Sequence, residues 1–449
     1  MTARPPIPGT VKIWRVGSLA YTSGGLVALF FWLLGGDFTW SLRDRAVPTV
    51  MQLLFNKYSG SDAVTGFLFS SLPAGLGLIL GPIIGYQSDR LRTRWGRRLP
   101  FLFGTIPFIV LAMVGLAASE SLGRAMEGLF GAHSVLVVMT LCWTVFEISC
   151  VVAATVFGGL INDVVPQEVI GRFYGCFRAL SLIAGIILFG RMTAASQDHY
   201  AAIFLGAALL YGVGFTLMCL RVKEGDYPAP PEQPDRQRSL SAAVGTYFRD
   251  AFGHSYYRIY FFFGIIAGMV AMPFNLYSIF YARSLGMDTG WYFHCLAVTY
   301  CISLVLAYPL GVLADRFHPL RLSIAALILY ACAMAWGIFF AKNASQFAVA
   351  LVAHGVFSGV YFTGSASLGQ RLLPRGRFTE LSSAGGVLGS LSGMAFPPAL
   401  GLLLDRLGHA YWLTFRAGFI LTLIAIGAGL WLHRRFISLG GPGGYLAPE

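Results

Sequence analysis

One short apolar stretch near the N-terminus carries side chains that could bind a polar ligand. In the segment GGDFTWSLRDR, positions i, i+3, i+4 and i+7 of one helical face hold Asp37, Trp40, Ser41 and Asp44. Carboxylates accept hydrogen bonds from hydroxyl groups, and an indole ring offers a flat apolar surface, so this combination suits a sugar. Arg43 and Arg45 lie nearer the outer end of the stretch and could instead neutralise Asp44 in a structural cluster.

A second carboxylate lies deep in another apolar stretch, LCWTVFEISC, where Glu147 follows Trp143 by one helical turn. An ionisable group at such a position is costly and is a functional hypothesis by default. We predict that Glu147 takes up and releases a proton as its surroundings change, and that Asp37 can share this role. Trp143 would offer the ligand a second aromatic surface. The alternative is a protonated Glu147 that hydrogen-bonds to a neighbouring helix.

Three further polar residues interrupt apolar stretches. Arg178 in CFRALSLIAG either extends to the cytoplasmic edge of its stretch or points inward, where it could bind Asp37 or ligand oxygens through a forked hydrogen bond. Asn275 follows Pro273 at a predicted helix break, and His354 lies deep in LVAHGVFSGVYF. Both could reach a central cavity, or both could form hydrogen bonds between helices.

The elements that carry these residues must be membrane helices. Of the 449 residues, 56% are apolar and only 12% are charged, and the mean hydropathy is +0.68. A soluble globular protein has about 25% charged residues, so that class is excluded. Apolar runs near the length of about 20 residues that spans a bilayer recur along the chain. They lack the alternation of barrel strands, which leaves α-helices.

Polar segments divide the chain into twelve predicted spans. They lie near residues 26–54, 63–86, 100–118, 134–160, 174–193, 201–220, 259–283, 291–313, 321–341, 346–368, 379–404 and 411–432. The proline-rich, charged sequence KEGDYPAPPEQPDRQRS separates the sixth span from the seventh. We therefore predict a six-helix bundle over residues 1–220, a cytoplasmic linker over 221–257 and a second six-helix bundle over 258–449.

The net charge of +12 is concentrated in alternate loops. The basic residues of these loops are Arg4, Lys12, Arg15, Arg90, Arg92, Arg94, Arg97, Arg98, Arg221, Lys223, Arg236, Arg238, Arg371, Arg375, Arg377, Arg434 and Arg435. This distribution follows the positive-inside rule and predicts that both termini are cytoplasmic, in a plasma (inner) membrane. The expected partners are the lipid bilayer and a small molecule, and nucleic acid is not among them. We expect a monomer.

A loop motif occurs in both halves of the chain. GPIIGYQSDRLRTRWGRR covers residues 81–98 and YPLGVLADRFHPLR covers 308–321. The predicted switch residues of the two copies are Gly85, Asp89, Arg90, Arg97, Arg98, Asp315 and Arg316. Gly85 would let two helices approach closely, and Asp89 could pair with the arginines and release them during a conformational change. The alternative is a basic loop that only fixes orientation.

Several of these strings resemble known families. The motif G-x-x-x-D-R is the signature of the major facilitator superfamily, and GYQSDRLRTRWGRRLPF is similar to the sucrose proton symporters. GGDF and the R-x-x-x-x-x-A-G pattern that begins at Arg178 resemble the glycoside–pentoside–hexuronide cation symporters. The resemblance implies an all-α membrane protein with about twelve helices in two pseudo-symmetric bundles. It also implies that Asp37 accepts sugar hydroxyls and that Arg178 lines the same site.

The chain departs from the melibiose-type permeases where these bind sodium. Gly77 and Gly81 stand where that group has two aspartates, and Ala154 stands near its sugar-binding aspartate in the fourth helix. Proton coupling, or no coupling, is therefore expected rather than sodium coupling, with no cofactor or resident metal. The predicted function is proton symport of a glucoside or disaccharide by alternating access. The alternatives are an exporter of amphipathic drugs and a membrane sensor that binds sugar without transporting it.

An enzyme is not expected. The sequence has no Walker A glycine loop, no G-x-S-x-G turn and no HExxH metal motif. The seven cysteines lie in or beside apolar stretches without metal-ligand spacing, so they are interpreted as small buried hydrophobic residues. Transport by this chain would draw on an ion gradient.

Overall fold

A computed structural model describes residues 13–59, 61–166, 168–192, 199–227, 252–374 and 378–448. Within these ranges, 12 helical segments are long and apolar enough to cross a membrane, which confirms the predicted number. In chain order the helices are α1 (Ser23–Ser59), α2 (Asp62–Arg90), α3 (Leu99–Ala117), α4 (Ser134–Val164), α5 (Ile170–Arg191), α6 (Tyr200–Arg221), α7 (Ser255–Ser284), α8 (Thr289–Phe317), α9 (Pro319–Phe340), α10 (Ala344–Ser365), α11 (Phe378–Arg406) and α12 (Leu413–Ser438).

Several helix starts are fixed by local side-chain caps. The carboxylate of Asp288 accepts a hydrogen bond from the amide of Trp291 at the start of α8. The side chain of Asn343 does the same for the amide of Gln346 at the start of α10. These bonds satisfy amides that have no partner within the helix, so polar residues between apolar runs determine where the spans begin.

Three helices carry an irregularity within their length. Pro48 lies inside α1, where it removes one backbone hydrogen bond. In α2, residues Phe67–Ser71 form a π-helical turn. The predicted break in α7 is confirmed, because one helical piece ends at Met269 and the next begins at Met272. Such interruptions redirect the side chains that follow them and are common at functional sites.

The chain forms two compact units that do not coincide with the two halves of the sequence. Unit 1 draws on Met1–Val47, Ile79–Ala184 and Tyr200–Pro231, and unit 2 on Pro48–Leu78, Gly185–His199 and Glu232–Glu449. The helices α1, α2 and α5 therefore contribute to both units, and Pro48 is the first residue of α1 in unit 2. The two-bundle division with a linker over 221–257 stays a prediction, and residues 228–251 of that linker lie outside the described ranges.

Each unit has its own helix packing. In unit 1, α3 packs against both α4 and α6. In unit 2, α10 packs against α8 and α9, α12 packs against α7 and α9, and the first turns of α2 pack against α11. Before α1, the strands Trp14–Val16 and Leu19–Tyr21 form a hairpin. Ser18 in its turn accepts a hydrogen bond from the amide of Asp226 at 2.7 Å, which joins the hairpin to the chain after α6.

Candidate functional site

The centre of unit 1 holds a buried arginine surrounded by aromatic rings. Arg43 is 0% exposed. Its guanidinium carbon lies 4.2 Å from the ring centroid of Trp40, 5.1 Å from that of Tyr211 and 5.2 Å from that of Phe146. Aromatic faces attract cations, and the attraction is stronger where water is excluded. The three rings therefore form a cage that stabilises the Arg43 charge at membrane depth.

A second layer of aromatic residues supports the cage. Trp40 of α1 contacts Phe157 of α4 at 6.1 Å and Phe215 of α6 at 5.6 Å between ring centroids. The predicted substrate residue Trp143 is buried and stacks on Phe146 at 5.3 Å. These contacts hold α1, α4 and α6 in register around Arg43. In this structure Trp143 belongs to the supporting layer rather than to an open surface.

The polar contacts of Arg43 leave its charge only partly compensated. It donates hydrogen bonds to the sulfur of Cys150 at 2.8 Å and to Asp44 Oδ1 at 3.4 Å. Glu147 interacts electrostatically with both Arg43 and Asp44. Within the described ranges, Arg43 Nε and the Tyr211 hydroxyl are buried and have no hydrogen-bond partner. Arg43 thus bonds to one carboxylate, Asp44 of α1, and acts through its charge on a second, Glu147 of α4.

The two carboxylates predicted on one face of α1 have different surroundings. The Asp44 side chain is 63% exposed, whereas Asp37 is only 1% exposed. Asp37 Oδ2 has no hydrogen-bond partner among the described residues. Spacing places the two residues on one side of a helix, but neighbouring helices decide which of them is covered. Asp44 is therefore the open carboxylate in this structure, whereas Asp37 is covered, and direct contact of Asp37 with a ligand stays a prediction.

The arginine whose charge acts on Asp37 in this structure is Arg45. Arg45 interacts electrostatically with Asp37 and donates a hydrogen bond to Ser181 of α5 at 2.8 Å. Arg178 also lies on α5, and its side chain is exposed. Among the described residues, the charges that act on Asp37 are those of Arg45 and Asp44, and the bond from Arg178 stays a prediction. Arg45 is carried by α1, the same helix that carries Asp37.

Arg43 and Arg45 lie just past the midpoint of the long helix α1, toward its C-terminal end. The helix α1 has 37 residues and is about 55 Å long at a rise of about 1.5 Å per residue. It continues to Ser59, so Arg43 and Asp44 lie near its midpoint. The cage around Arg43 was missed, although Trp40 and Arg43 are separated by three residues and must share a helical face.

Unit 2 contains a separate series of hydrogen-bonded polar side chains. His354 Nε2 lies 2.8 Å from Asn275 Oδ1, and His354 Nδ1 lies 2.8 Å from the Tyr330 hydroxyl, which bonds to the carbonyl of Val270 at 3.2 Å. His354 is buried, but Asn275 is exposed. These hydrogen bonds join α7, α9 and α10 just after the break in α7. His354 therefore serves as an interhelical contact that fixes the open amide of Asn275.

The predicted switch loop of the first half forms an ion-pair cluster. Arg98 bonds to Asp89 and Ser88, and its Nε lies 3.1 Å from Asp163 Oδ2. Arg97 holds the same carboxylate with two hydrogen bonds of 2.6 and 2.9 Å. Asp163 lies at the end of α4 and was not predicted. It locks α4 to the loop between α2 and α3, and forked arginine–carboxylate bonds of this kind are strong.

A residue after α6 completes this cluster. Glu224 accepts hydrogen bonds from the backbone amides of Arg97, Arg98 and Leu99 at 2.7 to 3.0 Å, which caps the start of α3. It also accepts the Tyr227 hydroxyl at 2.9 Å. Burial, together with the Glu224 carboxylate, raises the pKa of Tyr227, so that this phenol remains a donor. The predicted linker thus begins with residues that belong to this ion-pair and hydrogen-bond cluster.

The structure differs from the prediction for Gly85 and leaves the prediction for the second copy of the motif open. Among the described residues, no atom outside its own helix backbone lies within 4 Å of a Cβ built on Gly85, so the close helix approach predicted there is not seen in this structure. The tight glycine is Gly159 of α4, where a Cβ would lie 2.9 Å from Arg98 Cζ. Arg90 lies over the Tyr86 ring at 4.4 Å. In the second copy, Arg316 is exposed, and the Asp315 side chain lies outside the described residues.

Part of this chain is similar in sequence to curated proteins. Sucrose transport protein SUT1 of Oryza sativa subsp. japonica is 31% identical over 112 residues, which is 25% of this chain and 20% of that protein. The protein of subsp. indica matches equally. The matched region thus spans only about a fifth of these curated relatives.

Solved structures show the same fold at low identity. A D-xylose–proton symporter shares 17% identity with a TM-score of 0.59, covering 89% of this chain and 96% of that one. A bacterial homologue of the iron transporter ferroportin shares 14% with a TM-score of 0.64, covering 90% and 98%. Residues 13–397 match the Major Facilitator Superfamily. The chain therefore belongs to the major facilitator superfamily, and it is a membrane transporter rather than an enzyme.

Proposed function

We propose that the protein is a proton-coupled transporter of a sugar, such as a glucoside or a disaccharide, and that it works by alternating access. The observation that carries this proposal is the caged Arg43 with two carboxylate neighbours, the exposed Asp44 and the largely buried Glu147. An exposed carboxylate at membrane depth needs water or a polar ligand. The local similarity to a sucrose transport protein supports a sugar as that ligand.

In this proposal Asp44 accepts hydrogen bonds from sugar hydroxyls, and the half-exposed Trp40 ring packs against the apolar face of the sugar. Arg43 fixes the Asp44 carboxylate from one side through the 3.4 Å hydrogen bond. In unit 2, the exposed Asn275 amide, held by His354, is a further candidate for substrate contact. The exposed Arg178 remains a candidate on α5.

Glu147 carries the coupling proton in this mechanism. When Glu147 is ionised it competes with Asp44 for Arg43, and when it is protonated Arg43 turns fully to Asp44. Proton uptake therefore orders the carboxylate that receives the sugar, which couples the two binding events. Asp37 is buried, and one of its oxygens has no hydrogen-bond partner in the part of the chain that the structure describes, so it is the second candidate for a proton. We also propose a monomer in the plasma (inner) membrane with both termini cytoplasmic.

Asp44→Asn is expected to weaken sugar binding about tenfold to a hundredfold, because a lost charge-assisted hydrogen bond costs about 1.5 to 3 kcal/mol. The amide keeps the shape and can still accept from Arg43, so folding should be preserved. Affinity can be measured by calorimetry on purified protein with a sugar panel. Glu127→Gln, an exposed carboxylate between α3 and α4, is the matched control. Unchanged affinity in Asp44→Asn would remove Asp44 from the site.

Uptake of sugar into proteoliposomes tests the proposed function itself. Accumulation should rise with an inward proton gradient in the absence of sodium and collapse when a protonophore is added. A strict sodium requirement at constant pH contradicts proton coupling. Binding without counterflow would identify a sensor, and export of amphipathic cations without any response to sugars would identify a drug transporter.

A further inference from the structure

Unit 2 contains a cluster of metal-binding side chains that the transport mechanism does not use. It consists of Asp62 at the start of α2, Asp405 near the end of α11, and His409 just after α11. His409 Nδ1 lies 2.7 Å from Asp62 Oδ2 and 3.8 Å from Asp405 Oδ1. One ligand atom from each of the three residues lies within 4.8 Å of the other two.

The two carboxylates are already held in position by their neighbours. Asp405 Oδ1 accepts the amide of Asp62 at 2.7 Å, while Oδ2 accepts Ser61 Oγ at 3.0 Å and the amide of Ala63 at 3.1 Å. The Tyr411 hydroxyl donates to Asp62 Oδ1 at 3.2 Å. Each carboxylate oxygen has two lone pairs, so these bonds leave capacity for an ion. Hydrogen-bonded carboxylates of this kind surround metal ligands in many proteins.

The charge of the cluster also favours a cation. Asp62 is 0% exposed and lies close to the second carboxylate of Asp405. In the part of the chain that the structure describes, the ion pairs of these carboxylates involve His409 and no lysine or arginine. A neutral imidazole leaves two negative charges together, one of them fully buried. His409 has a side chain that is 45% exposed, which gives an ion a path from solvent.

We propose that Asp62, Asp405 and His409 bind a divalent transition-metal ion, for which zinc is the best match. Zinc accepts imidazole nitrogen and carboxylate oxygen at about 2.0 to 2.2 Å in a tetrahedral arrangement, which places its ligand atoms roughly 3.4 Å apart. The two nitrogen–oxygen distances, 2.7 and 3.8 Å, bracket that spacing. The hydrogen bond between His409 Nδ1 and Asp62 Oδ2 holds a proton that zinc must displace to solvent, after which Nδ1 offers its lone pair, Nε2 keeps a proton, and water takes the fourth position. Calcium and magnesium prefer more oxygen ligands.

A bound ion would fasten α2 to α11 within unit 2. Ser71 Oγ bonds to the carbonyl of Met394 at 2.6 Å and Ser70 Oγ to that of Gly393 at 3.0 Å, so the two helices already meet below the cluster. A Cβ on Gly66 would lie only 2.7 Å from the carbonyl oxygen of Pro397. Zinc added on the side of the membrane that holds the α1–α2 and α11–α12 connections should therefore oppose separation of α2 from α11 and inhibit transport. This consequence rests on the proposed alternating access, whereas metal binding itself does not.

Calorimetric titration of zinc into the chelator-treated, full-length protein in nanodiscs tests the site. Wild type should bind one zinc ion, and His409→Gln should bind it at least about tenfold more weakly. A loss of this size is typical even of residues that only support a metal ligand. His133→Gln, an exposed histidine before α4, is the control and should bind as wild type does. Cobalt, whose visible absorption reports tetrahedral nitrogen and oxygen ligation, tests the site in wild type without any substitution.

Each outcome has a defined meaning. Equal zinc isotherms for wild type and His409→Gln overturn the site, as does the absence of both zinc binding and the cobalt spectrum in wild type. In the transport arm, external zinc should slow sugar counterflow in wild type and His133→Gln but not in His409→Gln. Zinc binding through His409 with unchanged counterflow keeps the metal site and overturns the fastening of α2 to α11. Absence of sugar flux in untreated wild type counts only against the proposed function.

Discussion

Glu147→Gln is expected to abolish proton-driven accumulation of sugar while sugar exchange between equilibrated compartments continues. Glutamine has the shape of the protonated side chain and cannot release a proton. Arg43 then stays with Asp44, so the sugar site remains ordered but no longer responds to the gradient. A structural Glu147 would instead reduce exchange and accumulation together, or would change neither.

Counterflow and gradient-driven uptake should be measured on the same proteoliposomes to separate these outcomes. Asp37→Asn, prepared in parallel, removes the other buried carboxylate of unit 1. If Glu147→Gln accumulates sugar at the wild-type level, then Glu147 is not the proton carrier. Loss of accumulation in Asp37→Asn alone would transfer that role to Asp37.

The spans and the switch loop could be predicted from local sequence because their signals are local. A bilayer requires long apolar helices, so the twelve runs were visible without tertiary information. Asp89 and Arg98 lie in one short motif, and the structure pairs them. The third member, Asp163, is 65 residues from Arg98, and no pattern in the motif indicates it.

The site in unit 1 shows what helical periodicity leaves open. Spacing placed Asp37 and Asp44 on one face of α1, but only the packing of the other helices makes the first buried and the second exposed. The cage of Arg43 needs Phe146 from α4 and Tyr211 from α6. Pairing between helices depends on side-chain shape across many residues, which a single sequence does not display.

The residues of the proposed zinc site are even farther apart along the chain, so a single sequence does not indicate the site. Asp62 and His409 are 347 residues apart and contact each other at 2.7 Å. Asp405 and His409 are four residues apart, but nothing in the sequence joins Asp62 to them, and all three lie at the polar ends of apolar runs, where charged residues are ordinary. Only the packing of α2 on α11 gives them a common function.

Substitution of Arg43 should have the other large effect, and two variants separate its charge from its shape. Arg43→Met keeps much of the bulk and removes the cation from the aromatic cage. Protonation of Glu147 then has no cation to release to Asp44, so sugar binding should weaken and should lose the pH dependence that wild type shows. Coupled accumulation at neutral pH should then be lost.

Arg43→Lys keeps the charge but loses the planar group that lies over Trp40 and donates to Cys150 and Asp44. The pH midpoint of sugar binding should therefore stay within about 1 unit of wild type. Sugar affinity should still fall, because Asp44 is no longer held in place. Calorimetry at a series of pH values gives both quantities for each variant.

Thermal unfolding of the two variants provides the control for misfolding. Replacing a buried charge with an apolar side chain of similar volume is often neutral or stabilising, so a folded Arg43→Met is expected. If both variants fold, and both show the wild-type pH midpoint and the wild-type sugar affinity, Arg43 neither sets the proton equilibrium of Glu147 nor positions Asp44. The aromatic cage would then be a means of burying one arginine, and the coupling mechanism would have to be sought at Asp37 and Arg45.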